Sequence, residues 1–330
     1  MRTRLLLTIP LILTIVRFGT LRSMTGTGEM TILFILAVLA PFLPLSRILR
    51  TRSTKKTRIG AVLLLLLLMI AIFAPVIALH PPNETYSLPE CRYLSPLSFH
   101  TEENVKTFFP LGTDDFGRCV YSRLVYGSRV SLSIGILAMI IAVGLGAFWG
   151  ATAGYLGGWA DGVMMRIVDG LMAFPRLFLL ILIVAVWPTQ PSVLMVILVL
   201  GFLSWMEVSR LVRGQILSLK ERDFILAARQ MGASHFHILI RHLLPNASGP
   251  VMVDGTLRIG GTILVEAALS FLGLGVQPPT ASWGNMIAGG QDALLDAWWM
   301  TTFPGLAIVV TVMSFFLLGE GFRDATQEDH

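Results

Sequence analysis

The sequence predicts an all-α polytopic membrane protein, and two observations lead to this fold class. Hydrophobic residues make up 54% of the 330 residues and charged residues only 14%, whereas a soluble domain is about a quarter charged. Several uncharged stretches are also long enough to cross a bilayer as helices. A soluble fold this apolar would expose large hydrophobic patches, and intrinsic disorder requires the opposite composition, with low hydrophobicity and high charge.

Six stretches are interpreted as transmembrane helices, because about 20 apolar residues are needed to cross the hydrocarbon core. The clearest is the nearly aliphatic first stretch. The uncharged segment between Arg176 and Glu207 is interrupted by Pro188 and Pro191, which favour a turn, so it is divided into two helices. The predicted spans are 59–79, 130–155, 171–187, 192–212, 250–274 and 301–318.

The charges in the loops predict that both ends of this six-helix core are cytoplasmic. Residues 47–58 and 210–241 are rich in Lys and Arg, whereas loop 80–128 is rich in acidic residues and loop 276–300 has no basic residue. The net charge of +5 is therefore interpreted as a topology signal. Nucleic acid is not expected as a partner, because no basic patch alternates with exposed aromatic residues.

The N-terminal extension, residues 1–58, leaves the number of additional spans open. The apolar segment 5–16 is too short to span comfortably, and segment 31–45 contains two prolines. Two further spans would keep the core orientation, and one would place the N-terminus outside. A signal peptide is an alternative without a clear cleavage site, and a later start at Met24 or Met30 is another.

Three glycines in the second span recur at intervals of four residues: Gly146, Gly150 and Gly154. Small residues with this spacing fall on one helix face and let two helix backbones approach closely. This face is predicted to be a helix-packing surface. A substrate-lining role is the alternative, although glycine brings no recognition chemistry.

Few charged residues fall within the predicted spans, and such residues are functional suspects by default. Glu207 is expected near a cytoplasmic end of its span. Asp254 and Arg258 are one helical turn apart and are predicted to form an ion pair. Glu266 lies deeper and is a candidate pore or polar residue, for which a hydrogen bond to a neighbouring helix is the plainer interpretation.

The polar segment after the fourth span has helical spacing on both sides of a glycine. Phe224, Ala227, Ala228 and Met231 are spaced like one face of an amphipathic helix. Gly232 is a natural break, since glycine readily adopts positive φ. A second short helix is predicted to end at the proline of Leu244-Pro245. Either a partner docks here, against the small alanines, or the helix lies flat on the membrane.

This segment resembles the EAA loop of ATP-binding-cassette (ABC) importer permeases. The resemblance rests on Ala227-Ala228, Gly232 and Leu244-Pro245, and Leu226 replaces the glutamate that names the motif. The peptide branch of the family often lacks that glutamate. Further segments resemble the C-type subunits of dipeptide, oligopeptide and nickel importers over about residues 59–325, namely 110–118 (PLGTDDFGR), 269–275 (LSFLGLG), 282–286 (SWGNM) and 318–324 (LGEGFRD).

The resemblance implies a six-helix type I ABC importer permease core in a bacterial or archaeal cytoplasmic (inner) membrane. Such a chain forms half of a heterodimeric pore with a homologous second permease subunit. Two ABC ATPase subunits bind beneath, and an extracytoplasmic solute-binding protein delivers a peptide or a related solute, including nickel. The implied ATPase-docking residues lie in a cytoplasmic coupling loop at 213–247: Asp223, Ala227, Ala228, Gly232, Leu244 and Pro245.

This chain itself is expected to be neither an enzyme nor a binder of cofactors. It contains no Gly-Lys pair, and therefore lacks the phosphate-binding loop of an ATPase, so ATP would be used by the partner subunits. No metal site is predicted, although three histidines fall within 235–242. The first core span, 59–79, is followed by an extracytoplasmic loop at 80–128. A five-helix permease domain at 129–320 and a cytoplasmic tail at 321–330 complete the predicted organisation.

Two alternatives remain open. Cys91 and Cys119 both fall in the predicted outer loop, where an oxidising compartment would allow them to form a disulfide. The alternative function class is a secondary transporter in which Glu266 is the coupling carboxylate. Neither the inverted repeats nor the several intramembrane charges typical of that class are evident.

Overall fold

The computed structural model describes residues 55–86, 89–102, 105–186 and 191–328. The N-terminal extension up to residue 54 and the predicted turn at 187–190 lie outside this part of the chain. Long helices dominate the described residues. The elements of the first half are α1 (Lys55–Ile72), α2 (Ala74–Ile77), β1 (Ser98–Glu102), β2 (Val105–Phe109), α3 (Val120–Leu156), α4 (Gly158–Met172) and α5 (Arg176–Val186).

The second half begins with the long helix α6 and continues through a group of short helices. Its elements are α6 (Val193–Leu219), α7 (Asp223–Gln230), α8 (His235–Ile238), a π-helix (Leu239–Leu243), α9 (Leu244–Phe271), α10 (Trp283–Gly289) and α11 (Trp299–Glu328). A helix therefore covers most of each of the six predicted spans, and the helical fold class is confirmed. The described residues also contain elements that were not predicted: α4, which lies almost wholly between the second and third predicted spans, α10, and a short antiparallel hairpin of β1 and β2 in the predicted outer loop.

Three of the described helices, α3, α6 and α11, are long and apolar enough to cross a membrane by themselves, and α4 with α5, bent by 77°, would be a fourth span. Helices α1 and α9 cover the first and fifth predicted spans and carry charged residues. Basic residues begin α1, and the pair Asp254 and Arg258 lies in the middle of α9.

The glycines of the predicted packing face lie where α3 meets α6. A methyl group added at Gly146 would lie 2.6 Å from the Val208 Cβ atom, and one at Gly150 would collide with the backbone carbonyl of Ser209. Gly154 faces the carbonyl of Arg213 in the same way, at 3.0 Å. The two helix backbones therefore touch along this face, as small residues at four-residue intervals allow.

Two tryptophans attach the outer segments to the helices. The Trp283 indole at the start of α10 donates to the Leu124 carbonyl at 3.1 Å, and the Trp299 indole at the start of α11 donates to the Thr113 carbonyl at 3.1 Å. Both rings are almost fully buried. Helix α10 itself begins with a capping box between Ser282 and Asn285, which satisfies its first free backbone donors.

Candidate functional site

A loop of residues 220–243, here called the helix–glycine–helix loop, connects α6 to α9 and contains the predicted glycine break. Gly232 has φ of +79°, a conformation that side chains with a Cβ rarely adopt. Its N–H donates to the Arg229 carbonyl at 3.0 Å, and the Ala233 N–H donates to the Ala228 carbonyl at 3.1 Å. These two bonds form a Schellman motif that ends α7.

The inner side of this loop differs from the sequence prediction. Ile225 and Ala228 are buried against Val212 and Ile216 of α6, so Ala228 packs inside this chain and is not presented to a partner. Ala227 is exposed. The periodicity placed Phe224, Ala227, Ala228 and Met231 on one face, but apolar side chains occur on both sides of α7, and spacing alone does not show which side faces the core.

Five large apolar side chains of the loop are exposed, namely Ile240 and the four that are named below as a patch. Their exposed fractions range from 43% to 81%. Charged residues lie between and beside them, including Glu221, Arg222, Asp223 and Arg229. The loop thus carries an exposed apolar patch with a charged rim, and the patch consists of Phe224, Leu226, Met231 and Phe236.

Side-chain contacts attach the loop to the end of α3. The Tyr155 hydroxyl and His235 Nδ1 are 2.6 Å apart, and the Arg229 guanidinium lies 6.0 Å from the centre of the Tyr155 ring. The Lys220 ammonium donates to the Gly154 carbonyl at 3.3 Å. These contacts come from both helical parts of the loop, so the loop and the end of α3 are held together.

The prediction that Pro245 ends a helix is wrong. Leu244 and Pro245 form the first turn of α9, which follows the π-helix without a gap, so the helical backbone continues through the proline. At the other end of the loop, Asp223 begins α7. Its carboxylate is stabilised by the positive end of the helix dipole.

A second group of functional candidates, here called the polar patch, lies among α5, α6 and α9. The Arg258 Nε donates to the Asp254 carboxylate at 2.6 Å, and its Nη1 donates to the Glu207 carboxylate. The Asp254–Arg258 pair was predicted. Glu207 lies in the middle of α6, which continues to Leu219, and its expected position near a cytoplasmic end stays a prediction.

The fourth member of the polar patch is Arg176, which the sequence prediction used only as a boundary between spans. Its Nη2 donates to the Ser204 hydroxyl at 2.7 Å, while its Nε is buried and has no hydrogen-bond partner among the described residues. Arg176 and Glu207 line a cavity of about 150 Å³. A lone arginine between two apolar stretches was the available signal.

Comparison with known families gives the evidence of identity. Residues 135–327 match the family described as the binding-protein-dependent transport system inner membrane component. The chain belongs to this family of transport permeases. It is therefore a multi-pass membrane protein and a transporter subunit of an ABC importer, not an enzyme.

Individual relatives agree with this assignment. The permease is 39% identical over 256 residues to a dipeptide transport system permease protein of Alkalihalophilus pseudofirmus, an alignment that covers 78% of this chain and 80% of the relative. It is 40% identical to an oligopeptide transport system permease protein of Bacillus subtilis, over 65% of this chain and 70% of the relative. It is 42% identical to a glutathione transport system permease protein of Pectobacterium atrosepticum, over 65% of this chain and 71% of the relative.

Glu266 of the permease belongs to α9 and is 1% exposed. Its side chain faces the start of α10. Its Oε1 accepts hydrogen bonds from the hydroxyls of Ser270, at 2.8 Å, and Ser282, at 3.0 Å. Its Oε2 has no hydrogen-bond partner among the described residues. The carboxylate thus joins the end of one long helix to the cap of the next short one.

The two cysteines of the permease flank Thr113 in the predicted outer loop. The Thr113 hydroxyl donates to the Cys91 carbonyl at 2.6 Å, and Thr113 forms an isolated backbone bridge with Cys119. Both cysteines are buried, and burial raises the pKa of the Cys119 thiol. Their pairing as a disulfide stays a prediction.

Proposed function

We propose that this permease forms half of a heterodimeric pore that imports peptides or related solutes, and that the helix–glycine–helix loop docks on cytoplasmic ABC ATPases. The observation that carries the proposal is the exposed apolar patch of Phe224, Leu226, Met231 and Phe236 on a loop fixed to the membrane helices. Apolar centres with polar rims are typical of protein interfaces.

The loop would act as a lever. Its inner side packs on α6 through Ile225 and Ala228, and its Tyr155–His235 contact reaches α3. An ATPase that moves the outer side of the loop would therefore move both helices with it. The alternative of a helix lying on the membrane has less support, because charged residues interrupt the exposed apolar ones.

The remaining partners and the orientation follow the same proposal. A second permease subunit would complete the pore, lipid would surround it, and a solute-binding protein would deliver the cargo on the outer side. The loops rich in Lys and Arg would be cytoplasmic, with both ends of the core inside a bacterial or archaeal cytoplasmic membrane. The relatives are named for dipeptide, oligopeptide and glutathione transport, which supports peptide-like cargo, whereas nickel stays a prediction from resemblance.

Co-purification from detergent-solubilised membranes tests the docking surface. Met231→Asp combined with Phe236→Asp places charges on the apolar patch, whereas the control Leu295→Asp changes a 96% exposed leucine in the predicted outer loop. The double variant is expected to lose the ATPase and keep the second permease subunit, and the control is expected to keep both. Recovery of equal amounts of the ATPase with the unmodified permease, the double variant and the control would contradict the docking assignment.

A further inference from the structure

We propose that Arg176 binds a carboxylate of the transported solute, such as the C-terminal carboxylate of a peptide, as the solute passes through the permease. This inference rests on the proposed import function and names a recognition site within the pore. The site consists of the Arg176 guanidinium and the adjoining cavity between α4, α5 and α6.

The polar patch marks a helix face that does not contact lipid tails. Glu207 and Arg258 lie in the middle of α6 and α9, and the side chains of Glu207, Arg258 and Asp254 are 35%, 31% and 27% exposed in the isolated chain. Charged groups at this depth are costly in hydrocarbon and face a water-filled path or another subunit. This face therefore borders the pore.

The charges of the patch are not evenly paired. Arg258 holds both carboxylates, those of Asp254 and Glu207. Arg176 has no carboxylate partner among the described residues, and it lines the same cavity as Glu207, whose carboxylate is paired with Arg258. One positive charge of the patch is thus left for an anion from outside this chain.

The geometry of Arg176 suits a carboxylate. Ser204 occupies the Nη2 group at 2.7 Å, and the Ser204 hydroxyl itself donates to the Leu200 carbonyl at 2.6 Å, which fixes its oxygen as the acceptor. The Nε is desolvated and free of partners among the described residues. Arginine commonly binds carboxylates through two parallel N–H groups. Because Nε is enclosed in the isolated chain, a carboxylate would bond it only when the cavity walls move aside as the solute passes.

The rest of the cavity suits the apolar part of a varied solute. Its walls include Met172, Phe174, Leu203 and Met206 beside Glu207 at the charged end. Methionine side chains are flexible and polarisable, so they adapt to ligands of different shape. A single fixed cation next to adaptable apolar walls would recognise the group that free peptides share and tolerate differences between their side chains.

The helix break holds Arg176 in place. Helices α4 and α5 meet at 77°, and Arg176 is the first residue of α5, directly after Pro175. The Leu179 N–H donates to the Pro175 carbonyl at 3.1 Å, so the helical turn that contains Arg176 is formed without a ligand. The guanidinium is thereby held at the cavity before a solute arrives.

The test uses the complete importer, with its second permease, ATPases and binding protein, reconstituted in lipid vesicles. The probes are a labelled pool of short peptides with free C-termini and the same pool as C-terminal amides, each at a concentration that saturates the binding protein. The readout is peptide taken up per ATP hydrolysed. Because the binding protein is the same in all experiments, its own preference cancels when variants are compared.

Arg176→Gln is expected to lower the uptake ratio of free acid to amide about tenfold, the effect of losing a charge-assisted hydrogen bond. Arg176→Lys keeps the charge and is expected to retain part of the preference. The control Lys56→Gln removes an exposed cation that pairs with Glu320 at 3.4 Å, away from the cavity, and should change the uptake of both probes by the same factor.

Two results would overturn the inference while leaving the import function intact. In one, Arg176→Gln lowers uptake of acid and amide equally while ATP is still hydrolysed. In the other, both Arg176 variants lose the second permease subunit on purification, which would assign the missing counter-ion to that subunit. Failure of the proposed import function has a different signature, because neither probe would then be taken up by the unmodified complex.

Discussion

Arg213 of α6 holds the carboxylate of Asp161 in α4 with two hydrogen bonds, from Nε to Oδ1 at 2.5 Å and from Nη2 to Oδ2 at 2.6 Å. The backbone of Arg213 also packs against α3, opposite Gly150 and Gly154. One arginine thus joins three helices near the helix–glycine–helix loop. Two parallel bonds require the planar fork of arginine, which lysine lacks.

Arg213→Lys should therefore destabilise the permease although it keeps the charge. Loss of one charge-assisted bond costs about 1.5–3 kcal/mol, and the larger exposure of Arg213, 34% of the side chain, places the expected loss at the lower end. The measurement is thermal unfolding of the detergent-solubilised permease. Arg210→Lys is the matched control, since the Arg210–Asp169 pair is about half exposed and such pairs contribute little. Equal unfolding temperatures for Arg213→Lys and Arg210→Lys would show that the two bonds from Arg213 to Asp161 do not stabilise the permease.

Gly150→Ala should be strongly destabilising, because the added methyl group would collide with the Ser209 carbonyl. Overpacking of this kind costs about 1–3 kcal/mol, and a backbone group cannot rotate out of the way. Gly144→Ala is the control in the same helix, where an added methyl group meets nothing within 4 Å. Thermal unfolding should separate the two variants, and a neutral Gly150→Ala would show that α3 and α6 do not approach this closely.

Substitutions at Gly232 should act through the backbone. The residue has φ of +79°, and an added Cβ atom would have no neighbour within 4 Å. The left-handed conformation costs an ordinary residue about 1–2 kcal/mol, while asparagine adopts it more readily. At equal expression, peptide uptake should therefore fall in the order glycine, asparagine, valine. Gly232→Asp should impair uptake without preventing membrane insertion, and equal uptake by Gly232→Asn and Gly232→Val would argue for a role other than ending α7.

Glu266→Gln should leave uptake nearly unchanged, because glutamine retains an oxygen that accepts from Ser270 and Ser282. Glu266→Leu leaves both buried hydroxyls without this acceptor and should reduce stability by about 1–3 kcal/mol. Uptake and thermal unfolding are measured together. Loss of uptake in a stable Glu266→Gln protein would instead mean that the carboxylate itself takes part in transport.

Much of the helical architecture could be predicted from the sequence. Predominantly apolar stretches of the right length predicted helices where α1, α3, α6, α9 and α11 lie, because the bilayer sets the length of apolar helices. The break at Gly232 was also predictable, since it depends on a local backbone conformation that glycine adopts freely. The hairpin of β1 and β2 was not predicted, because its pairing depends on contacts between strands.

The orientation of side chains was beyond the sequence wherever both sides of a helix are apolar. In α7, periodicity could not distinguish the buried Ile225 from the exposed Phe224, because the choice depends on where α6 lies. Pro245 was placed at the end of a helix, whereas the helical backbone continues through it into α9, because proline is tolerated in the first turn.

The sequence by itself determined that this is a helical membrane protein, because hydrophobicity and charge act along the chain and need no knowledge of its folded form. That it is a permease followed from the resemblance of its motifs to those of ABC importer permeases. Only the tertiary structure decided which charges meet. Arg176, Glu207 and Arg258 are far apart in sequence, and the packing of α5, α6 and α9 leaves two carboxylates on Arg258 and none on Arg176 among the described residues. Electrostatic pairing depends on distance in space, and the folded helices set that distance.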